Sequence, residues 1–126
     1  MKKFEDALDV RFIDGHNWEV VDDFYYDTDV ALSGPITHRV VVLKGFTTDF
    51  ASIPRLLWNI LPPAGLYGKA AVIHDCLYRT KGLATRAEAD RVLLEAMGVS
   101  GVGRLTRWTI YLGVRVGGSM SYKGGF

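Results

Sequence analysis

The chain is poor in the features that would assign its class at once. It has one cysteine in 126 residues, so no internal disulfide can form and folding needs no oxidising compartment. No apolar run approaches the ~20 residues of a membrane-spanning helix. Lysine and arginine (15) almost balance aspartate and glutamate (14), leaving a net charge of +1, which argues against a general nucleic-acid binder. No secretion signal is expected, because the basic Met1-Lys2-Lys3 is followed by Phe4-Glu5-Asp6 and not by an apolar stretch. Internal repeats and low-complexity linkers are also missing, so no domain boundary is expected. What is present, 48% hydrophobic and 23% charged residues, suits one folded domain over 1–126 with enough chain for a core.

The pattern is α+β. Antiparallel strands are expected over about 9–48, then a short helix, then helices over about 66–81, 86–97 and 104–116. Asp9 to Ile13 alternates, and Asp14-Gly15-His16-Asn17 is turn chemistry, with His16 read as a turn residue. Trp18 to Tyr26 reads as one strand or two short ones with a wet side. Ser33-Gly34-Pro35 is another turn. Ile36 to Phe46 is the clearest strand, and its three successive valines suggest a central position. Ser52 can cap a short helix through Leu56, Leu57, Trp58 and Ile60, which Pro62-Pro63 stops. Asp49 stands where strand hands over to helix. It either anchors the turn through nearby backbone N–H groups, ligates a metal or pairs with Arg55.

The helix over 66–81 carries the richest chemistry. Leu66, Ala70, Ile73 and Leu77 form a core stripe, and Tyr67, Ala71, His74 and Tyr78 form the stripe beside it. His74 is therefore expected at the edge of the buried face, both oriented and reachable. Cys76 reads as a small buried thiol, and Gly82 can end the helix in a left-handed conformation. Thr85-Arg86-Ala87-Glu88 is a capping box opening the next helix, with Ala89, Val92, Leu93 and Ala96 as its core. Asp90 lies beside that core and needs a partner: Arg86 at the surface, or His74 inside. In the last helix Leu105, Trp108, Leu112 and Val116 make an apolar face. Arg104, Arg107, Tyr111 and Arg115 make a basic one, which is either simply solvated or a contact for an anionic partner.

His74, Asp75, Tyr78 and Asp90 form a candidate site. A histidine can take a proton from water if a second group holds its other ring nitrogen. Asp90 is assigned that role, and Tyr78, one turn beyond His74, can hydrogen-bond Asp90 and fix it. Asp75, rotated away, could ligate a hard cation such as calcium with loop carbonyls, and Asp49 is the second candidate ligand. Such a cation would polarise an ester carbonyl. The plainer alternative is a core histidine bonded to a carboxylate.

Gly45-Phe46-Thr47-Thr48-Asp49-Phe50-Ala51-Ser52-Ile53-Pro54-Arg55, Ala71-Val72-Ile73-His74-Asp75-Cys76-Leu77-Tyr78 and Arg86-Ala87-Glu88-Ala89-Asp90 resemble the signature blocks of domain-of-unknown-function family 1353. That resemblance covers about Val40 to Gly118. It implies a phage or prophage origin and a small α+β domain, without an activity. His74-Asp75-x-x-Tyr78 also resembles the active-site helix of secreted and parvoviral phospholipases A2. There the histidine activates water, the next aspartate binds calcium and a later aspartate orients the histidine. By that likeness the roles fall on His74, Asp75 and Asp90. The glycine loop is shorter here, with Gly65 nine positions before His74.

Three readings follow. The first is a calcium-assisted hydrolase of lipid or cell-envelope esters. The second is a non-catalytic phage tail, baseplate or assembly protein whose His–Asp cluster is a structural network. The third is a small protein that binds and blocks a host factor through its basic helix. All three place the chain in the host cytoplasm or the virion. A hydrolase predicts an open cleft at His74; a structural network predicts none.

Overall fold

The computed structural model describes residues 3–4, 10–14, 17–35, 37–48, 64–80 and 82–117. The first of the strands among them, β1 (Lys3–Phe4), is followed by a hairpin of β2 (Val10–Asp14) and β3 (Asn17–Val20). Their register runs from Val10↔Val20 to Phe12↔Trp18 and slips before Asp14↔Asn17. The stretch read as one strand or two is two. It breaks at the charged, exposed Asp22 and Asp23, and β4 (Phe24–Asp27) joins a different sheet. β5 (Arg39–Val42) and β6 (Thr47–Thr48) complete two three-stranded antiparallel sheets, ordered β1-β4-β5 and β2-β3-β6.

Ile36 to Phe46 was expected to supply a long central strand. Its regular part is only β5, at the end of its sheet's order, and β4 is the central strand. The valines have another cause. Val40 and Val42 are buried together with Phe24 and Tyr26 on one face of the β4–β5 pair, since alternate residues of a strand share a face. The first helix packs on β5, so a strand at the end of the sheet carries central-strand residues. On the other face Arg39 donates to Asp27 at 2.7 Å and sits 5.5 Å from the Tyr25 ring.

That helix, α1 (Ala64–Arg79), is buried at every side chain from Ala70 to Tyr78. A helix apolar nearly all round must be covered all round, and α1 is packed between β5 and β6 on one side and α2 (Arg86–Val99) on the other. Gly82 takes the expected left-handed conformation, φ +80°. Both bonds of the capping box are present: Glu88 N–H donates to Thr85 Oγ1 at 3.2 Å, and Thr85 N–H donates to Glu88 Oε1 at 2.9 Å. Ala89, Val92, Leu93 and Ala96 are buried, as the periodicity predicts. After a turn at Gly101 (φ +94°), α3 (Arg104–Gly117) packs on α2 through Ile110 and Val114.

Helix ends fall within two residues of the expected ones at each terminus. The Ser52 helix, His16 and the tail beyond Gly117 lie outside the described residues.

Candidate functional site

The buried carboxylate of Asp90 organises the cluster. α1 places His74 and Tyr78 one turn apart on the same face, and α2 sets Asp90 against both. His74 Nε2 is 2.8 Å from Asp90 Oδ1, and the Tyr78 hydroxyl donates to the same oxygen at 2.5 Å. Arg115 Nη1 donates to Oδ2 at 2.8 Å from α3, and Arg86 Nη1 lies 3.9 Å from Oδ2. One carboxylate therefore collects groups from all three helices. The His74 and Tyr78 rings are 4.1 Å apart at a 43° tilt.

Burial alone would push the Asp90 carboxyl up. Hydrogen bonds from His74, Tyr78 and Arg115 outweigh it and hold the group below the ordinary carboxylate range. Burial, and then the bond to Asp90, push the Tyr78 phenol up. An ionised Asp90 only accepts hydrogen bonds, which assigns a proton to His74 Nε2. Of the two partners raised for Asp90, His74 is bonded to it inside, while Arg86 stands only at 3.9 Å; the outer hydrogen bond comes from Arg115, which sequence reasoning had not paired with Asp90.

One expectation about position changes. His74 is not at the edge of the buried face; its side chain is 0% exposed. Asp75 is also buried, on the β6 side. Its Oδ2 accepts from Arg79 Nη1 at 3.2 Å, and the same Nη1 donates to Thr47 O at 2.6 Å. Arg79 thereby ties α1 to β6, with its guanidinium 5.4 Å from the Phe46 ring. Asp49, the second candidate ligand, lies outside the described residues. Among the described residues no group of three or more histidine, cysteine, aspartate or glutamate side chains comes together to hold a metal.

The basic face of α3 is divided. Arg104 is exposed, but Arg107 Nη1 donates to Val102 O at 3.2 Å beside Gly98, and Arg115 is engaged with Asp90. Burial pushes the Cys76 thiol up to about 11, in keeping with the inert role expected for it.

Sequence reasoning overlooked Glu95. Its Oε1 accepts from Tyr26 at 2.6 Å and from Thr28 Oγ1 at 2.7 Å, and its Oε2 accepts from Asp29 N–H at 3.1 Å, fastening α2 to the end of β4. Its one local signal was a carboxylate directly before the core residue Ala96. Glu88, beyond its capping role, accepts from Ser33 N–H at 2.9 Å and Ser33 Oγ at 2.6 Å. Arg86 donates to the carbonyls of Val114 and Arg115 at 3.1–3.2 Å, closing the last turn of α3.

The family model described as protein of unknown function DUF1353 matches residues 18–114. The chain belongs to that family. The stretch matched by the DUF1353 model runs from β3 into the last turn of α3, so it takes in His74, Asp75, Tyr78, Arg86 and Asp90 and stops one residue before Arg115. The chain is also similar to the uncharacterized protein y4jT of Sinorhizobium fredii (strain NBRC 101917 / NGR234). They are 34% identical over 87 residues, which cover 68% of this chain and 24% of that one. The chain thus spans about a quarter of the length of that curated relative. No solved structure matches it.

Proposed function

We propose that this DUF1353 chain is a phage-encoded hydrolase of lipid or cell-envelope esters in which His74 is the general base. The observation that carries the reading is the double use of Asp90 Oδ1, which takes both His74 Nε2 and the Tyr78 hydroxyl. That arrangement orients an imidazole by its far nitrogen, as a catalytic base requires. The His74 imidazole takes a proton from water as the water oxygen attacks the ester carbonyl. The imidazolium then returns that proton to the departing alkoxide as the acyl C–O bond breaks. Asp90 stabilises the transient imidazolium, and Tyr78 and Arg115 hold Asp90. His74 is 0% exposed, where a hydrolase is expected to have an open cleft, so turnover on this reading requires a local opening that uncovers the ring. The phospholipase A2 likeness of His74-Asp75-x-x-Tyr78 supports the ester as substrate class.

The described donors do not fit a calcium ion. Asp75 is a single carboxylate already paired with Arg79, so the reaction is written without a cation. The site of action proposed is the infected host cell or the virion.

A second reading is favoured by the complete burial of His74, Tyr78 and Asp90 together with the three-helix span of the Asp90 contacts. On it the cluster is a lock for the helices in a non-catalytic phage component. Hydrolysis of phospholipid and envelope-derived esters by wild type and by His74→Gln, with thermal melts of both, separates the two. Loss of turnover by about 10²-fold or more with a melt shifted by a few degrees supports the base. Absence of turnover in the wild type, with a strongly lowered melt in the variant, supports the lock.

A further inference from the structure

α3 has two apolar faces, and the larger one is outside. Inward it buries only Ile110 and Val114. Outward it presents Leu105, 83% exposed, Trp108, 46%, Leu112, 59%, and Val116, 87%. At ~100° per residue these four occupy an arc of about 80° along the whole helix, and Arg104 and Arg115 fall along the Trp108 edge of that arc. Scattered single apolar residues on a surface need no explanation, but a continuous row of four does.

The charge beside the row selects the occupant. α3, Arg-Leu-Thr-Arg-Trp-Thr-Ile-Tyr-Leu-Gly-Val-Arg-Val-Gly, contains arginines and no acidic residue, and the sequence after it adds Lys123 and no acid. Asp90 does not cancel this charge, because one carboxylate faces both Arg86 and Arg115. Two copies paired through this face would bring arginines together with no carboxylate on either helix to answer them. A bilayer with anionic headgroups accepts all of it. Leucine and valine enter the acyl boundary, Trp108 sits at headgroup level with its ring edge-on to Tyr111 at 5.5 Å, and the exposed Arg104 meets a phosphate. Among the described residues no helix is long and apolar enough to cross a membrane, so α3 would lie in the surface plane.

We infer that the outer face of α3, built from Leu105, Trp108, Leu112 and Val116 with Arg104 at its edge, is a docking surface for an anionic lipid bilayer. This inference does not need His74 to be catalytic, and it can fail while the hydrolase reading stands.

The test is flotation of the full chain with equimolar phosphatidylglycerol–phosphatidylcholine vesicles and with pure phosphatidylcholine vesicles, in low and high salt. The expected result is binding to the anionic vesicles that weakens with salt. Leu112→Glu, at an exposed position, should reduce it at least ~10-fold with an unchanged circular dichroism spectrum, while His74→Gln floats like wild type. Equal flotation of Leu112→Glu, or no flotation of the wild type, overturns the proposal. A wild-type dimer that fails to float and that Leu112→Glu makes monomeric would assign the face to a second copy instead.

Discussion

Arg115 Nη1, in the last turn of α3, lies 2.8 Å from Asp90 Oδ2 in α2, while Oδ1 of the same carboxylate serves His74 and Tyr78 of α1. This contact joins the burial of Ile110 and Val114 in setting which way α3 faces. With Arg115 drawn inward, Ile110 and Val114 meet α2 and the row from Leu105 to Val116 is left outside. Arg86, bonded to the carbonyls at the same end of α3, holds the arrangement from the other side.

Arg115→Ala should therefore loosen α3 before it unfolds the rest. Arg86 stays near Asp90, and Arg115 is itself partly exposed, so the expected loss is about 1–2 kcal/mol, below the 3–5 typical of breaking a fully buried pair. Urea unfolding measures the loss. Amide exchange should show reduced protection across α3 with α1 little changed; equal loosening of all three helices would contradict the account.

Asp90 should make stability depend on pH on the acid side. Its carboxyl is held below the ordinary range in the fold, against ~3.9 unfolded. Between those values the unfolded chain binds more protons. The contribution is thus complete above about pH 4 and lost as pH falls through the folded value. Asp90→Asn should be less stable than wild type at pH 7 by about 3 kcal/mol, with a shallower decline as pH falls below about 4. Parallel acid-unfolding curves would sink this assignment.

Cys76 should be silent in the native protein. It is buried, and that burial holds its thiol up at about 11, so little thiolate exists near pH 8. Ellman's reagent should label it only after unfolding, at one equivalent per chain. Rapid labelling of the folded chain would mean that α1 opens locally.

Gly34 should not tolerate a side chain. Its N–H donates to Leu83 O at 3.1 Å, and an added Cβ would lie 2.4 Å from Gly82 O and 2.6 Å from Leu83 O. Those are backbone atoms that cannot turn aside, so Gly34→Ala should cost about 1–3 kcal/mol. Gly103, with nothing near its missing Cβ, is the control, where alanine should change the urea midpoint little.

The site was legible where the signal was local. Capping box, helix-ending Gly82, the Ala89–Ala96 core row and buried Cys76 all follow from spacing within one or two turns. The His74–Asp90 pairing was legible as one of two options, since a carboxylate on a core-facing position needs a partner and both Arg86 and a histidine in the neighbouring helix were within reach. Glu95 escaped because its partners, Tyr26 and Thr28, are more than sixty positions away and no periodicity links a strand to a distant helix.

Sequence by itself determined the α+β order, the start and stop of each long helix and the residue types of the cluster, because propensity, capping and hydrophobic period act over a few residues. The tertiary structure decided three things. It split the strands between two sheets, since pairing partners are chosen over long separations. It buried His74 fully, since α1 is covered by β5 and β6 on one side and α2 on the other. And it left the expected apolar face of α3, Leu105 to Val116, outside, because the helix buries Ile110 and Val114 against α2 instead.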